Sequence, residues 1–113
     1  IKFDKLNREA YYILSLAYQH QGKLAEAIDA MKKVIYIDQN SVLGHFGLAD
    51  LYYSNNQHPQ ALKALDNARR LLASRPAEDV VPNSGGVSCG RLLQAIVRRQ
   101  QQWTATASLS LKQ

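Results

Sequence analysis

The sequence has one cysteine, Cys89, so no disulfide can form within the chain. A lone thiol favours a reducing, cytoplasmic setting. No apolar run approaches the roughly 18–20 residues that cross a bilayer. Ile1-Lys2-Phe3-Asp4-Lys5 also lacks the apolar core of a signal peptide, so no membrane partner is expected. There is no P-loop pattern. Gly85-Gly86 follows a proline-containing stretch rather than a strand, which leaves no place for a dinucleotide or methyl-donor cofactor. His20, His45 and His58 lie far apart, and Cys89 has no second cysteine, so the close ligand spacing of a zinc site is missing. Cys89 falls near an expected helix start, which can lower a thiol pKa, but no His or Asp partner stands close to it in sequence. Nothing in the chain carries a catalytic, cofactor-binding or metal site.

Acidic residues run short in one half only. Residues 69–113 hold Glu78 and Asp79 against seven Lys and Arg, whereas residues 1–68 balance seven against seven. The net charge of +5 therefore arises entirely in the second part. Such asymmetry can mark a nucleic-acid or acidic partner. However, Arg69-Arg70 and Arg98-Arg99 are each expected at a helix end, where cations favour the helix dipole.

What is present is a repeat. Leu14, Tyr18, Gly22 and Ala27 are answered 34 residues later by Leu48, Tyr52, Asn56 and Ala61. That period suits a helix–turn–helix unit stacking on its neighbour. From Arg8 to about Gln21, Tyr11, Leu14 and Tyr18, with Ala10 and Ala17 beside them, predict a helix with one buried stripe. Asn7 is its expected N-cap. Gly22 allows the turn, and Leu24, Ala27, Ile28, Met31, Val34 and Ile35 form the apolar face of a second helix ending near Ile37. Asp38-Gln39-Asn40-Ser41 is turn chemistry, with Asn40 or Ser41 capping the next helix. The cycle repeats from Val42 to about Ser54 and, with Pro59 in the first turn, on to about Ser74. Asn55-Asn56 stands in for Gly22, since asparagine tolerates positive φ best among the non-glycine residues.

The register also reaches backward. Ile1–Lys5 aligns with Ile35–Gln39, so residues 1–7 are expected to end a helix of a preceding repeat in a longer array. The units are then 8–41 and 42–75. Residues 76–87, with Pro76, Pro82 and Gly85-Gly86, form a loop. A fifth helix over 88–103, capped by Ser88 and apolar through Leu92, Leu93, Ile96 and Val97, closes the stack, and the polar tail 104–113 is expected to be disordered.

These residues resemble the tetratricopeptide repeat: Tyr11, Leu14, Ser15, Tyr18, Gly22, Ala27 and Met31 in one copy, and His45, Leu48, Ala49, Tyr52, Ala61, Leu65 and Ala68 in the other. Gln39 and Ala73 replace the proline that usually ends each repeat, and His45 replaces an aromatic. The resemblance implies an all-α fold, a right-handed superhelix of helix pairs with a C-terminal capping helix. Tyr11-Tyr12-Ile13-Leu14, Val34-Ile35-Tyr36-Ile37-Asp38, His45-Phe46, Leu48-Ala49-Asp50-Leu51-Tyr52 and Ser88-Cys89-Gly90-Arg91-Leu92-Leu93 carry a narrower likeness. They are similar to the repeat region of CheR-type chemoreceptor glutamate methyltransferases of bacterial signalling arrays, with Gln39 and Cys89 as departures. That likeness implies a parent enzyme using S-adenosylmethionine, whose catalytic domain is not in this chain.

The resemblance also implies a groove lined by the first helix of each unit. Off the buried stripe there stand Glu9, Tyr12, Leu16, Gln19 and His20, then Leu43, Phe46, Asp50 and Tyr53. Tyr12, Leu16, Gln19, Phe46, Asp50 and Tyr53 are the candidate partner-binding residues, with the aromatics suited to binding hot spots. The Lys-plus-Asn set with which such domains clamp a chain-terminal carboxylate is missing. The expected function is a non-catalytic protein–protein interaction module that docks a chemosensory array protein or the parent methyltransferase domain. The competing expectation is that the groove aromatics pack against upstream repeats or the capping helix. A nucleic-acid-binding module using Arg69, Arg70, Arg91, Arg98 and Arg99 is the alternative, with only Trp103 interleaved as an aromatic. An apolar flank left open at one end of a repeat stack would also favour a dimer.

Overall fold

The computed structural model describes the backbone of residues 2–82 and 84–112 and the side chains of residues 6–82 and 84–105. Five helices follow in order: α1 (Lys2–His20), α2 (Leu24–Ile37), α3 (Val42–Ser54), α4 (His58–Ala73) and α5 (Cys89–Lys112). α1 pairs with α2, α3 pairs with α4, α2 packs on α3, and α5 packs on α4. This is an all-α stack of two helix pairs with a fifth helix against the last.

The two pairs turn in the same way. Gly22 has φ 74° and Asn56 has φ 62°, both in the left-handed region. Lys23 N–H donates to the Tyr18 carbonyl at 2.9 Å and Gly22 N–H to the Gln19 carbonyl at 3.1 Å. In the second copy Gln57 donates to Tyr52 at 2.8 Å and Asn56 to Tyr53 at 3.1 Å. These paired bonds satisfy the last carbonyls of each first helix and reverse the chain. Between the units, Asn40 N–H donates to Asp38 Oδ1 at 3.1 Å and Gly44 N–H to Ser41 Oγ at 3.1 Å, so Ser41 rather than Asn40 caps α3. Pro59 lies in the first turn of α4.

Ala27 and Ala61, one in each second helix, are completely buried. The core runs on through Met31, Val34, Leu51, Leu65 and Leu72 to Val81, Cys89 and Ile96. Ser15 is the one buried polar side chain among the described residues, and its hydroxyl donates to the Ala27 carbonyl at 2.8 Å. The matching residue in the second copy is Ala49, also completely buried. Ser15→Ala should therefore cost only about 0.5–1.5 kcal/mol, the net value of one hydrogen bond, in urea melts. A larger loss would mean the hydroxyl also holds the helix pair in register.

Several expectations change. α1 runs unbroken from Lys2 to His20, so Asn7 is an interior residue and not an N-cap. No Pro or Gly interrupts this stretch, and asparagine inside a helix costs well under the price of a new helix nucleus. Residues 1–7 are expected to end a helix of a preceding repeat, yet residues 2–7 share one unbroken helix with 8–20; Ile1 lies outside the described residues. Ala10, Leu14 and Ala17 are exposed rather than buried, because α2 covers the other side of α1. Val97 is exposed too. At the other end, residues 104–112 continue α5 instead of forming a disordered tail. Without Gly or Pro, extending a formed helix is easier than starting one. Arg98 and Arg99 are therefore mid-helix, and the dipole argument does not apply to them.

The 74–88 connection is closed on itself. Val81 N–H donates to the Val87 carbonyl at 2.8 Å, and Ser84 Oγ donates to the Val81 carbonyl at 2.6 Å while accepting from Val87 N–H at 3.0 Å. Cys89 N–H donates to the Asp79 carbonyl at 2.7 Å. Val81 is buried beneath this knot, and Ser88 Oγ accepts from Arg91 N–H at 3.3 Å at the start of α5.

Candidate functional site

The groove is itself written in the 34-residue register. On α1, Tyr12, Leu16 and Gln19 match Phe46, Asp50 and Tyr53 on α3. Both triplets follow helical spacing of four and three residues, so each forms one strip along its helix.

The two strips are in different states. Over α3, α5 lies across the groove. The Arg99 guanidinium sits 4.7 Å from the Phe46 ring centroid, and its Nη1 pairs with Asp50 Oδ1. Four residues further along α5, Trp103 stacks on Tyr53 with centroids 4.3 Å apart and planes at 8°. His58 stacks on the same tyrosine at 4.6 Å and 19°. Phe46, Asp50 and Tyr53 are thus engaged within the chain. Arg99 and Trp103 supply the contacts to this strip, and their spacing of four, which sets both on one face of α5, was the available signal.

Over α1 the strip is open. Leu16 and Gln19 are exposed, and Tyr12 is half-buried. Tyr12 borders a cavity of about 310 Å³ between α1, the α2–α3 turn and the 75–82 segment. Its walls include Arg8, Asp38, Leu43, Arg75 and Pro82. Arg8 Nη1 and Asp38 Oδ2 pair at 2.6 Å, tying α1 to the end of α2. Burial raises the Tyr12 pKa above its ordinary 10.0. A raised pKa keeps the folded protein protonated where the unfolded chain has lost its proton. The sign is therefore a stability loss as pH climbs beyond about 10. Tyr12→Phe should reduce that alkaline loss, read as melting temperature against pH, and remove one late phenolate step from the absorbance titration.

The remaining candidates are placed as follows. Arg69 and Arg70 both pair with Asp66 at 3.1 Å, and Arg99 is committed to Asp50. Of the five arginines considered for nucleic acid, Arg91 and Arg98 alone form no ion pair among the described residues. Cys89 is buried. His45 Nε2 lies 2.9 Å from the Gln39 carbonyl, and His58 is taken up by Tyr53. Among the described residues no group of three His, Cys, Asp or Glu could hold a metal ion, and no helix is long and apolar enough to cross a membrane.

Among protein-family models, one described as tetratricopeptide repeat matches residues 18–78, more than half of the chain. No curated protein matches it.

Proposed function

Given that the chain belongs to the tetratricopeptide repeat family, we propose that it is a non-catalytic docking module that receives a protein segment on the α1 half of its groove. Repeats of this family mediate protein–protein interaction in general. The observation that carries the reading is the half-filled groove: α5 occupies the strip of Phe46, Asp50 and Tyr53, while the matching strip of Tyr12, Leu16 and Gln19 is open.

The register also suggests what the partner brings. α5 sets Arg99 against Asp50, but the matching residue on α1 is Leu16. An apolar side chain suits that position better than a cation, and the cavity beside Tyr12 offers room for a second one. The runs that resemble those of CheR-type methyltransferases are the ground for reading a bacterial chemosensory setting. There the module would hold an array protein, or its parent's S-adenosylmethionine-dependent domain, in the cytoplasm.

Pull-down of the chain against array proteins and against the methyltransferase domain tests this reading. Capture of one of them, weakened at least tenfold by Leu16→Glu and unaffected by Arg91→Ala with Arg98→Ala, is the expected result. Capture of neither, or binding that ignores Leu16→Glu, would remove it.

A further inference from the structure

α5 is held at two places along its length. Toward its start, Leu92 and Ile96 are buried and seat the helix on α4. One turn beyond Ile96, Arg99 and Trp103 reach across to α3 instead. The first set belongs to the hydrophobic core. The second set fills the strip of Phe46, Asp50 and Tyr53, and its contacts are of the kind that recognise a ligand.

What the strip selects can be read from those contacts. Asp50 is the only acidic residue on α3, which carries no Lys or Arg, so a cation for it must come from another element. Phe46, one turn earlier, turns its ring to the same cation, 4.7 Å from the Arg99 guanidinium. A planar guanidinium can lie over a ring and bond a carboxylate at once, which a compact ammonium does less well. On the other side of Asp50, the Tyr53 ring takes a flat partner, with planes at 8°. The complement is therefore an arginine and an aromatic residue four positions later, a spacing that sets both on one face of a helix. Nothing in this complement depends on the loop that joins α5 to α4. We infer that the α3 strip is a second docking site, for a partner helix carrying arginine and an aromatic residue four positions on, and that α5 is its built-in competitor. This site lies beyond the α1 half of the groove and does not depend on it.

The tether keeps α5 at high effective concentration over the strip, so the site is closed in the chain by itself and opens by competition. Exchange needs release only from Arg99 onward. Helix ends open at less cost than helix middles, so the contacts of Arg99 and Trp103 yield before those of Leu92 and Ile96. The Arg99–Asp50 pair is also within reach of water, with 34% and 41% of the two side chains exposed. An incoming arginine can thus replace Arg99 while Ile96, completely buried, keeps α5 on the stack.

The test uses the whole chain and an alanine-rich helical peptide carrying one arginine and, four residues later, one tyrosine. Trp103 is the only tryptophan in such a mixture, so its emission reports release from Tyr53 alone. Anisotropy of a labelled copy of the peptide reports binding directly. Saturable binding with a red shift of Trp103 is expected for the unmodified chain. Arg99→Ala, which leaves Ile96 in place, should bind the peptide at least about tenfold more tightly, because one internal competitor contact is gone. Adding Asp50→Ala to that variant should abolish binding, as should a peptide with glutamine in place of its arginine. Leu16→Glu, which probes the α1 half, should change nothing, so the two readings stand or fall separately. No binding to the Arg99→Ala chain, equal binding with and without Arg99, binding that survives Asp50→Ala or binding that leaves Trp103 emission unmoved would each overturn the inference.

Discussion

Replacing Ile96 with aspartate is expected to lift α5 off the stack. Ile96 is completely buried on the helix that packs against α4. A carboxylate there would lack both water and a cation, at a cost of about 4 kcal/mol or more. The two helix pairs do not depend on α5 for their own contacts, so the economical response is to release it. Trp103 is the only tryptophan and stacks on Tyr53, so its emission should shift to the red on release. Arg99 would leave Asp50 and Phe46 at the same time, opening the α3 strip and raising the capacity for a bound segment. Unchanged emission would show that Ile96 is not what anchors α5. Arg99→Ala is the milder companion, removing one partly exposed ion pair and one ring contact while leaving Ile96 in place.

The second large effect belongs to Leu65. This side chain is completely buried in the middle of α4, one register after Met31. Truncation to alanine removes three heavy atoms and leaves a cavity, which typically costs about 2–5 kcal/mol. The urea midpoint should fall while the slope of the transition stays the same, because the exposed area on unfolding hardly changes. A loss below about 1 kcal/mol would mean that the helix pair closes over the gap. The contrast with Ser15→Ala, at one hydrogen bond, separates packing from polar contributions in the same core.

The architecture was legible because its signals are local and doubled. Gly22 and Asn56 are different residues, yet the same positive φ and the same pair of carbonyl bonds recur at both. Ala27 and Ala61 are completely buried at the same register position of each second helix, and small residues repeated there are hard to mistake. Chain ends and faces were harder. Asn7 resembles a cap, but no turn forms there, and a single residue cannot show whether the chain before it bends. Periodicity placed Leu14 on an apolar face but carries no information on whether another helix covers it.

The groove was half legible for a related reason. Helical spacing separated the groove strip from the buried stripe: Leu16 and Gln19 are exposed, whereas Tyr12 is half-buried against the core. Whether Phe46, Asp50 and Tyr53 meet solvent depends on a helix that begins more than thirty residues later, beyond a loop. Arg99 looked like one more basic residue in a charged region. Its role follows only from the geometry that sets it over Phe46 and beside Asp50.

Arg99 and Asp50 are 49 residues apart in sequence, whereas each helix pair closes over a single short turn. Local contacts form early and distant ones late, so the helix pairs precede the docking of α5. On the ribosome the delay becomes a matter of synthesis rate. At about 5–20 residues per second, roughly 3–10 s separate the appearance of Tyr53 from that of Trp103. During that interval the nascent chain displays an aromatic strip that the finished protein covers with its own helix.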